Sequence, residues 1–245
     1  MTYCAAIRLK TGIVFASDTR TNAGIDHIST FKKLFTFGQQ GHCFFTIQTA
    51  GNLATSQAVI SLINNDINED NERSIYRQNT LFDIANLIGE HATNVAKESE
   101  RRAVHTGNNF TSSFLIGGQI AGEAPELFLV YGDGNCLHAT RDTPFLQIGE
   151  SKYGKPILDR VINYDNTIDK AIHALLVSFD ATIRSNLSVG YPIDLLVYQN
   201  DSLAQPTGVR LDTDSVYLNQ VRQTWSDGLL GLLDNLDHPP SDYYT

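Results

Sequence analysis

The order in which hydrophobic periodicity changes along the chain limits its fold most. From Tyr3 the pattern has period two: Tyr3, Ala5, Ile7 and Leu9 fall on one face, with Cys4, Ala6 and Arg8 on the other. Lys10-Thr11-Gly12 is a turn signal, and residues 13–18 return as a second strand, which predicts a hairpin. Residues 33–37 and 42–49 read as two more strands around Gly38-Gln39-Gln40-Gly41. The period then changes to that of a helix. Val59, Ile60, Ile63 and Ile67 define one over residues 52–68, followed by a polar loop over 68–74. Thr80 with Asp83 three residues on is a capping-box signature that opens a second helix. Its apolar stripe is Leu81, Ile84, Ala85, Ile88, Ala92 and Val95, and its charged end, 97–102, reads as a solvated face. Strand patterns return at 110–117, 126–132, 135–139 and 145–148. Two helices follow at 151–161 and 167–184, the latter with Ile168, Ile172, Leu175, Phe179 and Ile183 on one face. Residues 193–198 form a last buried strand.

Runs of strands alternating with pairs of helices argue an α+β fold rather than a βαβ repeat. A four-layer αββα sandwich satisfies this order within a single domain over 1–245, with a core over about 2–200. The segment 212–245 is an extra C-terminal helix and tail. Leu218, Val221, Trp225, Leu229, Leu232 and Leu236 share a stripe that Gly228 and Gly231 weaken and Pro239-Pro240 ends. That helix either packs on its own domain or docks on a neighbouring subunit.

Composition removes several function classes. The formal net charge of -9 repels phosphate backbones, so nucleic acid is not an expected partner. No run of 18 apolar residues is present, so no membrane span is expected. The start has neither the basic nor the apolar region of a secretory signal, and the three cysteines, Cys4, Cys43 and Cys136, are odd in number and widely spaced. These features point to a cytoplasmic chain with reduced thiols. The seven histidines include no i, i+4 pair and no HExxH, and no Gly-x-Ser-x-Gly elbow exists, so no metal and no cofactor are implied. Gly117-Gly118 and Gly132-Asp133-Gly134 are too short for phosphate loops and read as turns.

The chemistry lies at the N-terminus. Removal of Met1 before the small residue Thr2 would expose a hydroxyl and a free α-amine on one residue. An α-amine has a pKa near ~8, so a useful fraction is neutral at cellular pH and can take the hydroxyl proton. A nearby lysine would favour the alkoxide, and a carboxylate would keep that lysine charged and aimed. Asp18, at the end of the second strand, and Lys33, at the start of the third, supply both groups.

Three stretches carry a family resemblance: Thr2 to Arg8, then Ala16-Ser17-Asp18-Thr19-Arg20, then Phe31-Lys32-Lys33-Leu34-Phe35. In order, strand phase and spacing they resemble proteasome β-subunits and the peptidase of the bacterial two-component protease. The strand to Gly51 followed by Asn52-Leu53-Ala54, Ile148-Gly149-Glu150-Ser151, and Arg184 to Ser188 running into Gly190-Tyr191-Pro192-Ile193-Asp194 extend the likeness to about residue 200. The wording of Met1 to Cys4, of Ser17 to Gly24 and of Ala50 to Gln57 is most similar to the ancestral β-subunit (Anbu) branch. The resemblance implies an N-terminal-nucleophile hydrolase fold and threonine peptidase or amide hydrolase activity. Thr2 takes the place of the nucleophile, Asp18 of the carboxylate, Lys33 of its charge partner and Ser188 of a supporting serine. The Gln48 N–H takes the place of the oxyanion donor, and Asn22, Gln48 and Ala50 fall where the family pairs its substrate as an added strand. A peptide or protein substrate and a homo-oligomer, ring or spiral, are implied, and an ATPase partner is left open. Glu150 and Ser185 depart from the family, which usually has Ser and Asp there. Two other readings stand beside this one: an idle self-assembling scaffold that binds peptides, and a hydrolase of small amides.

Overall fold

The alternation over the first eighteen residues does fold as a hairpin. In the computed structural model, which describes residues 2–22, 28–104 and 107–244, β1 (Tyr3–Arg8) pairs antiparallel with β2 (Gly12–Asp18), from Cys4 opposite Ser17 to Arg8 opposite Ile13. A short ribbon that the sequence pattern did not announce follows, β3 (Arg20–Asn22) against β4 (Ile28–Thr30). Met1, His27 and His105 lie outside the described residues.

Next come β5 (Leu34–Gln39), β6 (Cys43–Gly51), α1 (Leu53–Asn68) and α2 (Leu81–Arg102). The Asn52 side chain caps α1 by accepting from the Thr55 N–H at 3.1 Å. The expected capping box opens α2: the Asp83 N–H donates to Thr80 Oγ1, and the Thr80 N–H to Asp83 Oδ2. Then follow β7 (Ser112–Ile120), β8 (Glu126–Val130), β9 (Cys136–His138), β10 (Phe145–Gly149), α3 (Lys155–Val161), α4 (Ile168–Ser185), β11 (Ile193–Gln199), β12 (Val209–Leu211) and α5 (Val216–Asp234).

The strands form two five-stranded antiparallel sheets, ordered β10-β1-β2-β11-β12 and β5-β6-β7-β8-β9. Three apolar layers hold them. Phe45, Ile47, Phe114 and Ile116 pack under Ile63, Ile84 and Ile88 of α1 and α2. Tyr3, Ala5, Ile7 and Val14 pack under Leu158, Leu175 and Phe179 of α3 and α4. Cys4, Ala6, Phe15, Phe44, Leu115 and Leu196 meet between the sheets. The result is the αββα sandwich, and because the first sheet is covered on both sides, both faces of β1 are buried.

Two expectations need correction. Gly117-Gly118 is not a turn but the interior of β7. A Cβ at Gly117 would lie 2.7 Å from the Phe15 ring, and one at Gly118 would lie 2.1 Å from the Phe44 carbonyl, so glycine lets the layers close there. The expected helix over 151–161 begins only at Lys155, after a turn that holds the chain beside β1. Gly132-Asp133-Gly134 is a turn, as expected.

The C-terminal helix packs on its own domain along one side. It sits on α4, with Leu218 buried, Arg222 Nε donating to Asp180 Oδ1 at 2.7 Å, and the Tyr217 hydroxyl 2.6 Å from His173 Nε2. Yet Leu230, Leu232, Leu233 and Leu236 remain exposed. Among the described residues no helix is long and apolar enough to cross a membrane.

Candidate functional site

Antiparallel pairing sets the site. Since Cys4 faces Ser17, Asp18 arrives beside the root of β1, and the Tyr3 N–H donates to Asp18 Oδ1 at 3.0 Å. On the other side of β1, the Thr2 carbonyl accepts from the Glu150 N–H at 2.6 Å. The Thr2–Tyr3 peptide is thereby held from both sides, by Asp18 and by the Glu150 N–H. Gly149 makes that approach possible: its φ is +83°, and a Cβ there would lie 1.9 Å from the Thr2 carbonyl oxygen.

Lys33 enters from the other sheet. Its Nζ donates to Asp18 Oδ1 at 2.8 Å and to the Arg20 carbonyl at 2.5 Å, and its own carbonyl accepts from the Thr49 N–H at 2.9 Å. Asp18 is 0% exposed and Lys33 3%. The Gly190 N–H reaches Asp18 Oδ2 at 3.4 Å. Burial pushes the Asp18 carboxyl above the ordinary carboxylate range, against the opposing pull of Lys33 and of the Tyr3 and Gly190 N–H groups. Lys32, by contrast, is exposed and lies over the Phe35 ring. Of the two adjacent lysines, only Lys33 is paired with Asp18.

An ammonium has three N–H donors, and two of those on Lys33 are engaged among the described residues. Cys4, next but one to Thr2, cannot compete as a nucleophile. Burial pushes its thiol far up, and its Sγ sits 3.6 Å from the Thr49 carbonyl.

Other residues named from the sequence are placed differently. Along a strand, successive N–H groups point to opposite edges. The Thr49 N–H points to the β5 side, where it meets Lys33. The Gln48 N–H therefore points the other way, into the ladder with β7, where Gln48 faces Leu115. The Gln48 side chain lies between the sheets and donates to the Ala16 carbonyl at 2.7 Å. Gln48 thus presents no donor to the space beside Thr2. Ala50 shares the orientation of Gln48, with its backbone directed at Ser113 of β7. Gly51 shares that of Thr49, and its N–H emerges on the Lys33 side beyond the first residue of β5.

A cleft of about 360 Å³ lies on the β7 side of Gly51, lined by Ala50, Asn52, Thr111, Ser112 and Ser113 and closed by Gly149; neither Thr2 nor Lys33 lines it. The signal for Gly51 was the Ala50-Gly51 pair where the strand ends before its helix. Asn22 pairs with Ile28 through the backbone. Ser188 lies in the turn between α4 and β11, two residues before Gly190, with its N–H on Asn186 Oδ1 at 2.9 Å. Ser185 is exposed at the end of α4, whereas Glu150 is buried. Among the described residues no group of three His, Cys, Asp or Glu could hold a metal ion.

The four layers, and a first strand whose leading residue meets the crossing of both sheets, define the class: a proteasome-type fold. The sequence agrees. It matches the proteasome subunit family over residues 2–197. It is 50% identical to the Anbu of Pseudomonas aeruginosa, solved as a helical assembly, with a TM-score of 0.94 over 98% of this chain and 99% of that one. It is 42% identical to Anbu (ancestral beta-subunit) from Yersinia bercovieri, with a TM-score of 0.91 over 97% and 99%. A Gly-1 mutant of Anbu from Hyphomicrobium sp. strain MC1 is 41% identical, with a TM-score of 0.91 over 98% and 100%. No curated protein matches. This chain belongs to the proteasome family, in its Anbu (ancestral β-subunit) branch.

Proposed function

We propose that this chain is an N-terminal threonine hydrolase acting on extended peptide, with Thr2 as nucleophile after Met1 is removed. The observation that carries the reading is the buried Asp18–Lys33 pair at the root of the Thr2 strand, where one carboxylate oxygen receives both the Tyr3 N–H and Lys33 Nζ. In this reading the third Lys33 N–H serves the Thr2 hydroxyl. Thr2 Oγ1 attacks the substrate carbonyl while its proton passes to the α-amine. The same proton goes on to the leaving amine as the peptide bond breaks, and water then hydrolyses the ester to regenerate Thr2.

The Gly51 N–H is assigned to the developing oxyanion in place of Gln48, because it alone of the two leaves β6 by the edge that meets Lys33, the partner of Asp18. Peptide lies along the same edge, between Gly51 and β3, as an added strand. That places the substrate beside Ala50 and Asn22 without using the Ala50 backbone. Ser188 supports the turn that brings the Gly190 N–H to Asp18. The chain acts in the cytoplasm, where its unpaired cysteines stay reduced. It works as a homo-oligomer, a reading supported by the exposed leucines of α5 and by the helical assembly of the 50% identical relative.

A second reading, a self-assembling scaffold that binds peptides without cutting them, shares every feature except a free Thr2 amine. Intact mass separates the two. Loss of Met1 and gain of one β-lactone adduct per chain at Thr2 supports the hydrolase. Retained Met1 and no adduct defeats it and leaves the scaffold.

A further inference from the structure

Glu150 is a carboxylate that the chemistry above does not use. It is 8% exposed. Its oxygens accept from Asn186 Nδ2 at 2.9 Å and from the Lys152 N–H at 3.2 Å, both uncharged donors. Among the described residues no ion pair includes it. A buried carboxylate held only by neutral donors is costly unless a cation completes it. The Glu150 backbone N–H is the group bonded to the Thr2 carbonyl. In extended chain a residue's N–H and C=O face the same edge, so the Thr2 nitrogen faces the β10 edge, on which Glu150 follows.

We propose that Glu150 is the counter-ion of the Thr2 α-amine, a positioning residue that sets the pH at which Thr2 becomes nucleophilic. The inference rests on the reading of Thr2 as a processed N-terminus. Removal of Met1 turns a neutral amide nitrogen into an ammonium on the edge along which Glu150 follows, a carboxylate with no cation partner among the described residues. The new pair holds the amine toward β10 and keeps it protonated to higher pH than a free α-amine.

Of the other charged groups on the surrounding elements, Arg20 and Lys152 have no carboxylate partner among the described residues, and their positive charge acts on the amine against Glu150. Asp18, from β2, and Lys33, from ahead of β5, neutralise each other. Arg20 of β3 donates Nη1 to the Leu187 carbonyl. Arg184, at the end of α4, is paired with Asp180. Lys152 contributes its backbone N–H to Glu150. Asn186 and Ser188, from the turn after α4, are uncharged. The consequence is a hydrolase that is slow near neutrality and gains activity in alkali, because the α-amine can act as base only after losing a proton that its pairing with Glu150 holds on the nitrogen.

The test follows acylation of the Thr2 α-amine by a small anhydride across pH, read by mass spectrometry on the N-terminal peptide. The protein is the full chain beginning at Thr2, freed from Met1 by methionine aminopeptidase or released from a cleavable leader. The wild-type midpoint is expected above the ~8 of a free α-amine. Glu150→Gln should lower it by about one unit or more, which is about tenfold faster labelling below both midpoints. Glu150→Ser, a smaller side chain, should do the same. Equal midpoints in all three proteins overturn the proposal. The same shift measured in a Thr2→Ala background keeps the test independent of catalysis. Conversely, absence of a β-lactone adduct at every pH defeats the hydrolase and leaves the Glu150–amine pair standing.

Discussion

Replacing Lys33 with methionine keeps most of the side-chain volume and removes only the charge. Asp18 would then be 0% exposed with only the N–H groups of Tyr3 and Gly190 to hold its negative charge. Removing one partner of a buried ion pair costs about 3–5 kcal/mol. Here the cost has a ceiling that depends on pH. Burial already raises the Asp18 carboxyl above its ordinary range, and loss of Lys33 raises it further, until the folded variant simply holds the proton. At neutral pH the unfolded chain, with an ordinary aspartate pKa of ~3.9, has released that proton. Folding must then take one up, which costs about 4 kcal/mol at pH 7 and about 1.5 kcal/mol at pH 5. The sign is therefore definite: Lys33→Met is most destabilised near neutrality and recovers as pH falls toward ~4. Urea unfolding at fixed protein concentration, at several pH values, reads this directly. Asp18→Asn, alone and with Lys33→Met, completes the cycle. The double variant should lose the pH slope, because no carboxyl remains to take up the proton. A Lys33→Met penalty that does not change with pH, or that adds independently to Asp18→Asn, would refute the claim that these two charges depend on each other.

Thr2→Ala should abolish the β-lactone adduct and any peptide turnover, with an unchanged unfolding midpoint; full activity in that variant would sink the hydrolase. Gly149→Ala should destabilise by about 2 kcal/mol or more, since a Cβ at φ +83° meets the Thr2 carbonyl, and the adduct yield should fall with it. The Tyr3 hydroxyl is pushed up to about 12, chiefly by burial, against ~10 unfolded. The stability it contributes is complete below about pH 10 and is lost as pH rises to about 12, by about 2–3 kcal/mol, and Tyr3→Phe should remove that share of the alkaline loss. Leu232→Glu on the exposed face of α5 should shift the chain to smaller species in sedimentation while leaving its circular dichroism unchanged.

The layered fold was legible because each layer writes its own period. β1 and β2 alternate, α2 and α4 carry single stripes, and the order of runs leaves few arrangements. What escaped was local. The β3–β4 ribbon has three residues per strand, too few to establish a period. Gly117-Gly118 mimics a turn because sequence cannot distinguish a glycine needed for φ from one needed for space. Here Phe15 takes the space at Gly117, and Gly118 both meets the Phe44 carbonyl and has a φ of +158°.

The same limit explains the site. Asp18 could be named because the hairpin register brings it beside the start of β1, and Lys33, which arrives from the other sheet, because the family resemblance pairs it with Asp18. An oxyanion donor is a backbone N–H, which every residue but proline carries. Its usefulness depends on which edge of the strand it leaves by. In β6 that parity is fixed by its ladders with β5 and β7, in which Gln48 and Ala50 are committed to β7 while the Thr49 N–H meets the Lys33 carbonyl and Gly51 shares the Thr49 edge. Shifting the register by one residue would exchange the two sets. The lysine that binds Asp18 through its side chain thus also meets, through its carbonyl, the edge of β6 to which the proposed function assigns the oxyanion donor. Charge placement and donor placement at this site are consequences of one strand register.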